Sequence, residues 1–436
     1  MTDANQNPDF DPEDFAKFLS ELLSGNGEID AQELAKIAGL PDDPEALKAL
    51  ISQIQGAIVS GESQTIRGVN WELAEKQALE LARVGAQSID DRLRSTVLDA
   101  SNIAALWLDQ ATSLSQVATT PKLLTRELWV LDAQPLFQAL AGPIAERVAE
   151  SLSENLEANL PEELDALAAG ARGLMRSAGG TIFAMQLGQT LGKLSQEVLT
   201  GGDIGLPFYS ESRPAIVAQN LEAFISDHSL VADEARIYIL ARELSHARLF
   251  KQSRWLRDSV LAQITNYAQG IQIDGDKLRD LASEISPENA EALKSAMESG
   301  AFLAERSEEQ IGSLKVIENL LALIEGWVTV VTENATKLLP TAPQLGEVLR
   351  RRAGSSPARA TFATLIGLEL QPKRVREAAE FWRVVTERLG VDRRDALWEH
   401  PDLLPTSEDI DDVEAFLAGI GRDGDDLDKD LRDLLG

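Results

Sequence analysis

Apolar residues recur along most of this chain at intervals of three and four, the spacing of a helix with one buried face. The run "VNWELAEKQALELAR" at 69–83 shows the pattern plainly. No β-branched alternation is bounded by Asn-Gly or Asp-Gly turns in the way a hairpin would be. The pattern therefore predicts an all-α, or at least mainly α, protein.

Two segments depart from simple amphipathicity. "EARIYILARELSHARLFKQSRWLRDSV", 234–260, is apolar at Ile237, Ile239, Leu240, Leu244, Leu249 and Phe250, hence on more than one side, which predicts a buried helix. "NLLALIEGWVTVVT", 319–332, is apolar almost throughout except for Glu325. It falls short of the roughly 20 continuous apolar residues of a membrane span and reads as a core helix.

Breaks in the periodicity suggest three regions. Residues 1–60 carry short acidic segments joined by Gly, Pro and Asp and read as an N-terminal helical appendage. Residues 61–405 form the core, with room for two lobes, and 406–436 read as an acidic tail. In "GGTIFAMQLGQTLGKLSQEVLTGGDIGLPF", Gly188 and Gly192 are four apart, so they share a helical face on which another helix can approach closely. Gly201, Gly202 and Gly205 then end that helix; no Gly-Lys-Ser/Thr follows, so a phosphate loop is not indicated.

Charge narrows the partners. With 41 Lys and Arg against 71 Asp and Glu, the net charge is −30. Nucleic acids and anionic membranes demand basic surfaces, so neither is expected, and a protein or peptide partner is favoured. The chain has no cysteine, which excludes thiolate metal sites and a cysteine nucleophile. Its first residues lack the basic and apolar regions of a signal peptide, so the cytoplasm is the expected location. "SGNGEIDAQEL" imitates half a calcium loop, but Leu22 and Ser24 stand where ligand carboxylates are needed.

The candidate chemistry lies in "ILARELSHARLF", 239–250. Glu243 and His246 are three apart and project together into apolar surroundings, a costly arrangement unless they are paired. Arg242 and His246 are four apart, the spacing of two ligands in a helical zinc site. Glu325 is a second solitary acid on an apolar helix. Together these residues suggest one shared polar site.

"RELSHARLF", "LLALIEGWV", "GTIFAMQLGQTLGKLSQEVLTGGDIGLPF", "GSSPARATFATLIGLELQPKRVREAAEFW" and "RRDALWEHPDLLP" resemble, as a set, a zincin-like metallopeptidase family whose members are often called hydrolases or zinc-dependent metalloproteases. The resemblance spans roughly 65–405 and implies a mainly helical zincin-like fold. It implies that Glu243 matches the general base and His246 a zinc ligand. Glu325, in its Glu-Gly-Trp context, matches a third ligand. The first ligand position holds Arg242, giving Arg-Glu-Leu-Ser-His in place of His-Glu-x-x-His.

A guanidinium has no lone pair to give and repels a cation. Without tightly held zinc, a water keeps its high pKa and Glu243 has nothing activated to deprotonate. The same guanidinium can neutralise a carboxylate, so Arg242 is expected to pair with Glu325 or Glu243. The leading expectation is a metal-free binding or scaffold protein on a zincin-like frame, with no cofactor although zinc remains chemically open. An active hydrolase using His246, Glu325 and a further ligand such as His228 or His400 is the first alternative, and a purely structural helical protein the second. His228 and His400 otherwise read as turn or capping residues. Finally, Arg350, Arg351, Arg352 and Arg359, with Lys373, Arg374 and Arg376 nearby, form a basic cluster that either bridges to the excess acids or binds an anion.

Overall fold

The computed structural model describes residues 69–117, 120–159, 165–206, 209, 213–277, 304–356, 360, 363, 367 and 373–420. The appendage at 1–60, Arg359 and the last sixteen residues of the acidic tail lie outside them. The chain divides into two compact units. The first takes in 1–71, 145–183 and 271–304; the second takes in 72–144, 184–270 and 305–436.

In the first unit, Arg147 donates through Nε to the Ile271 carbonyl at 3.2 Å, and the Ala304 amide donates to the Gln272 carbonyl at 2.9 Å. The first bond ties the stretch after residue 270 to the helix that carries Arg147, and the second ties residue 304 to that stretch.

The second unit holds the site. In chain order its helices are α1 (Trp71–Ala82), α2 (Asp91–Leu108), α3 (Arg126–Asn159), α4 (Asp165–Glu197), α5 (Ala218–Asp227), α6 (Ala232–Gln252), α7 (Trp255–Gln269), α8 (Glu308–Ala335), α9 (Ala342–Gly354), α10 (Val375–Ala396) and α11 (Ser407–Asp411), of which α3 and α4 run on into the first unit. The mainly α prediction holds. It missed one pair of three-residue strands, β1 (Lys122–Leu124) and β2 (Ala215–Val217), which are parallel with Lys122 opposite Ala215 and Leu124 opposite Val217. An antiparallel bridge from Thr200 to Ile216 adds the Gly-rich loop to the other edge of β2.

The hub is α8, which packs along α10, α7 and α6. Its start is set by a capping box: Ser307 Oγ accepts from the Gln310 amide at 3.2 Å, and Gln310 Oε1 accepts from the Ser307 amide at 3.0 Å. Its apolar run is buried on nearly every side, as a helix without a polar face must be. At Gly326 the α10 backbone comes so close that an added Cβ would lie 2.7 Å from the Ala378 carbonyl carbon. Gly188 and Gly192 do what their spacing predicts: added Cβ atoms would fall 2.6 Å from the Ala74 carbonyl oxygen and 2.6 Å from Leu81 Cβ, both on α1.

A buried polar knot closes the far end of α10. Asp395 accepts from Thr112 Oγ1 at 2.6 Å, the Ser113 amide at 2.8 Å, Trp327 Nε1 at 2.9 Å and Arg394 Nε at 2.7 Å. The contacts join the loop after α2 and the hub helix α8 to the same carboxylate, and the adjacent Arg394 balances its charge, which is how a buried charge is made tolerable.

Candidate active site

The helix predicted from 234–260 exists as α6 and is buried, including Glu243 and His246. One turn of it meets the middle of α8, where Glu325 stands. Arg242 and His246 converge on that carboxylate. The Arg242 Nη2 donates to Glu325 Oε2, and His246 Nε2 lies 3.1 Å from Glu325 Oε1. Of the two partners left open by the sequence, Arg242 therefore takes Glu325.

Glu243 takes different partners. Its Oε1 accepts from the Ala215 amide at 2.8 Å and its Oε2 from the Gly202 amide at 3.0 Å. It thus fastens the first residue of β2 and the Gly-rich loop to α6. The glycine at 202 lets the loop come close: an added Cβ would sit 3.2 Å from both Glu243 Oε2 and His246 Cγ, tighter than an ordinary contact. The loop is held again by Arg352 of α9, which donates to Asp203 Oδ2 at 3.0 Å and to the Glu197 carbonyl.

The two carboxylates titrate in opposite directions. Burial pushes Glu243 up, against the opposing hydrogen bond from Ala215, the charge of His246 and the contacts with Gly202 and Thr200. Burial also acts to raise Glu325, but the charges of Arg242 and His246 outweigh it and hold the acid at about 2. Burial works against the Arg242 charge in turn, and the Glu325 carboxylate more than restores it, so its pKa lies above the ordinary value.

His246 Nδ1 is buried without a hydrogen-bond partner. Zinc-binding histidines ordinarily anchor their second nitrogen on a carbonyl or carboxylate. The other two histidines serve elsewhere. His228 ends α5 with Nδ1 3.0 Å from the Phe224 carbonyl, and His400 caps the short 3-10 turn at Pro401–Leu403 by accepting from the Asp402 amide at 3.2 Å. Both fit the capping roles read from the sequence.

A model of the zincin-like metallopeptidase family matches residues 69–417. The chain belongs to that family. A solved structure described as a "putative hydrolase with a novel fold" from Chloroflexus aurantiacus is 20% identical, covers 81% of this chain and 99% of its own, and superposes with a TM-score of 0.55. At that identity the likeness is one of fold. A comparison with curated proteins finds no match. Among the described residues, no helix is long and apolar enough to cross a membrane.

Within this zincin-like frame, the motif helix and the Glu-Gly helix are brought together as the resemblance implied, with Glu325 beside His246. In the basic cluster the described arginines bridge to acids, one of the two readings left open: Arg350 and Arg351 both fold back onto Glu347 of their own helix, while Arg352 serves the loop through Asp203. Lys373 reaches Glu318 and Arg374 reaches Asp411. A cleft of about 460 Å³ beside them is lined by groups of both signs, including Asp227, Glu197, Arg351 and Arg352. Sequence reasoning missed the partners of Glu243, because they are backbone amides that any residue but proline supplies.

Proposed function

We propose that this zincin-like protein works without a catalytic metal, as a binding or scaffold protein for a protein or peptide partner, its first ligand position taken over by a side-chain cation. The observation that carries the reading is the Arg242 guanidinium seated on the Glu325 carboxylate. A catalytic zinc needs three protein ligands and an open fourth position. Arginine cannot ligate, and its partner Glu325 is already neutralised by it. Among the described residues, no group of three or more His, Asp or Glu side chains is placed to hold a metal ion. The donor set does not fit a tightly held zinc.

Glu243 adds support. Each oxygen of this carboxylate accepts a backbone hydrogen bond from a different segment, which fits a fastening role.

The test is the zinc content of the purified protein, measured by mass spectrometry of the metal, beside that of Arg242→His. The unmodified protein should carry far less than one zinc per chain, and the variant should gain it. Stoichiometric zinc in the unmodified protein, together with peptide hydrolysis lost in Glu243→Gln, would establish the hydrolase reading instead.

A further inference from the structure

Tyr238 stands one turn before Arg242 on α6, so the two side chains share a face. The tyrosine is only 3% exposed, yet its hydroxyl makes no hydrogen bond to a described residue. Facing it is Gly346 of α9, where an added Cβ would fall 2.8 Å from Tyr238 Oη. The glycine backbone makes room for the phenol and supplies it no acceptor. Such a hydroxyl is left to bond water or a solute.

Arg242 has the matching deficit. Its Nη2 is given to Glu325, while Nε and Nη1 make no hydrogen bond to a described residue. The side chain is 28% exposed, so these donors stay within reach of solute. The phenol is in turn within electrostatic range of the guanidinium. Two neighbouring donor groups thus lack acceptors among the described residues, beside a guanidinium that solvent reaches.

We propose that the Tyr238–Arg242 face of α6 binds a carboxylate, from a peptide C terminus or a small carboxylic acid, one oxygen accepting from the spare guanidinium N–H and the other from the phenol. This rests on the metal-free reading, since it needs Arg242 in its observed place. Burial, opposed by Arg242 and aided by Glu333, pushes the phenol up to about 12, so it remains a donor at neutral pH. Asp203 and Glu333 lie in the same electrostatic neighbourhood, the first bound by Arg352 and the second by Arg383. That surrounding negative charge favours a monoanion over a phosphate dianion.

The test uses full-length protein labelled with nitrogen-15 at arginine. The Arg242 Nε–H signal is identified by its loss in Arg242→Lys and followed during titration with N-acetylalanine and with N-acetylalaninamide. The acid should shift the signal saturably and the amide should bind at least about tenfold more weakly, the size of one charge-assisted hydrogen bond. Tyr238→Phe should weaken the acid by about the same factor with an unchanged melting temperature. An acetylated trialanine with a free C terminus that binds more tightly than N-acetylalanine assigns the site to peptide termini; equal binding assigns it to small acids.

An amide that matches the acid, no saturable shift, or a phenylalanine variant that binds the acid as the native protein does would overturn the proposal. Zinc analysis of the same sample separates the two readings. Bound zinc refutes the metal-free reading, whereas zinc-free protein with no preference for the acid refutes the carboxylate site alone.

Discussion

Replacing Arg242 by alanine strips the counter-charge from a carboxylate that is 13% exposed and sits midway along the hub helix. Removing one member of a buried ion pair costs about 3–5 kcal/mol, because the other charge stays behind. Water can follow the 28% exposed arginine into the gap, which places this site at the lower end, about 2–3 kcal/mol. The titration of Glu325 gives a similar size. Held at about 2, against 4.5 for a free glutamate, it contributes about 3 kcal/mol at roughly 1.4 kcal/mol per pH unit.

The sign follows from the depressed folded pKa. This stability is fully present above pH 4.5 and is lost as the pH falls towards 2. Urea denaturation should therefore show Arg242→Ala less stable by about 2–3 kcal/mol at pH 7, with the gap closing below pH 4 as Glu325 takes up its proton. The double variant Arg242→Leu with Glu325→Leu should lie within about 1 kcal/mol of the native protein, since an apolar pair of similar volume carries no desolvation cost. An alanine variant as stable as the native protein at pH 7, or a gap that persists unchanged into acid, would refute the account.

Gly326→Ala drives a methyl into the α10 backbone at Ala378 and should cost about 1–3 kcal/mol in a thermal melt. Gly312→Ala on the same helix meets nothing within 4 Å and should instead stabilise by about 0.5–1 kcal/mol. Asp395→Ala leaves Arg394 buried without its counter-charge and should lower stability by about 3–5 kcal/mol, read as a urea midpoint. Glu243→Gln can offer only one acceptor oxygen to two backbone amides, so hydrogen exchange at Gly202 or Ala215 should quicken and stability fall by about 1–3 kcal/mol.

Local pattern made much of this molecule legible. Periodicity disclosed the helices, the lack of a polar face on 319–332 disclosed a central helix, and the four-residue spacing of Gly188 and Gly192 disclosed a close crossing. These succeed because a helix writes its buried face into its own spacing. Strands β1 and β2 escaped notice because three residues are too few to alternate, and β2 is buried throughout.

The candidate site divides in the same way. The sequence by itself determined that Arg242, Glu243 and His246 share a helix, that an acid interrupts the apolar run at 325, and that the arginine at 242 has no lone pair to give a metal. Only the tertiary structure decided that Arg242 takes Glu325, 83 positions away, while Glu243 takes the amides of Gly202 and Ala215. It also decided that Tyr238, which the sequence shows as one more large residue in an apolar run, keeps a hydroxyl with no acceptor among the described residues, in the electrostatic range of Arg242. The reason is that a side chain's partner across a helix crossing depends on the packing of distant segments, and backbone donors carry no residue signature at all.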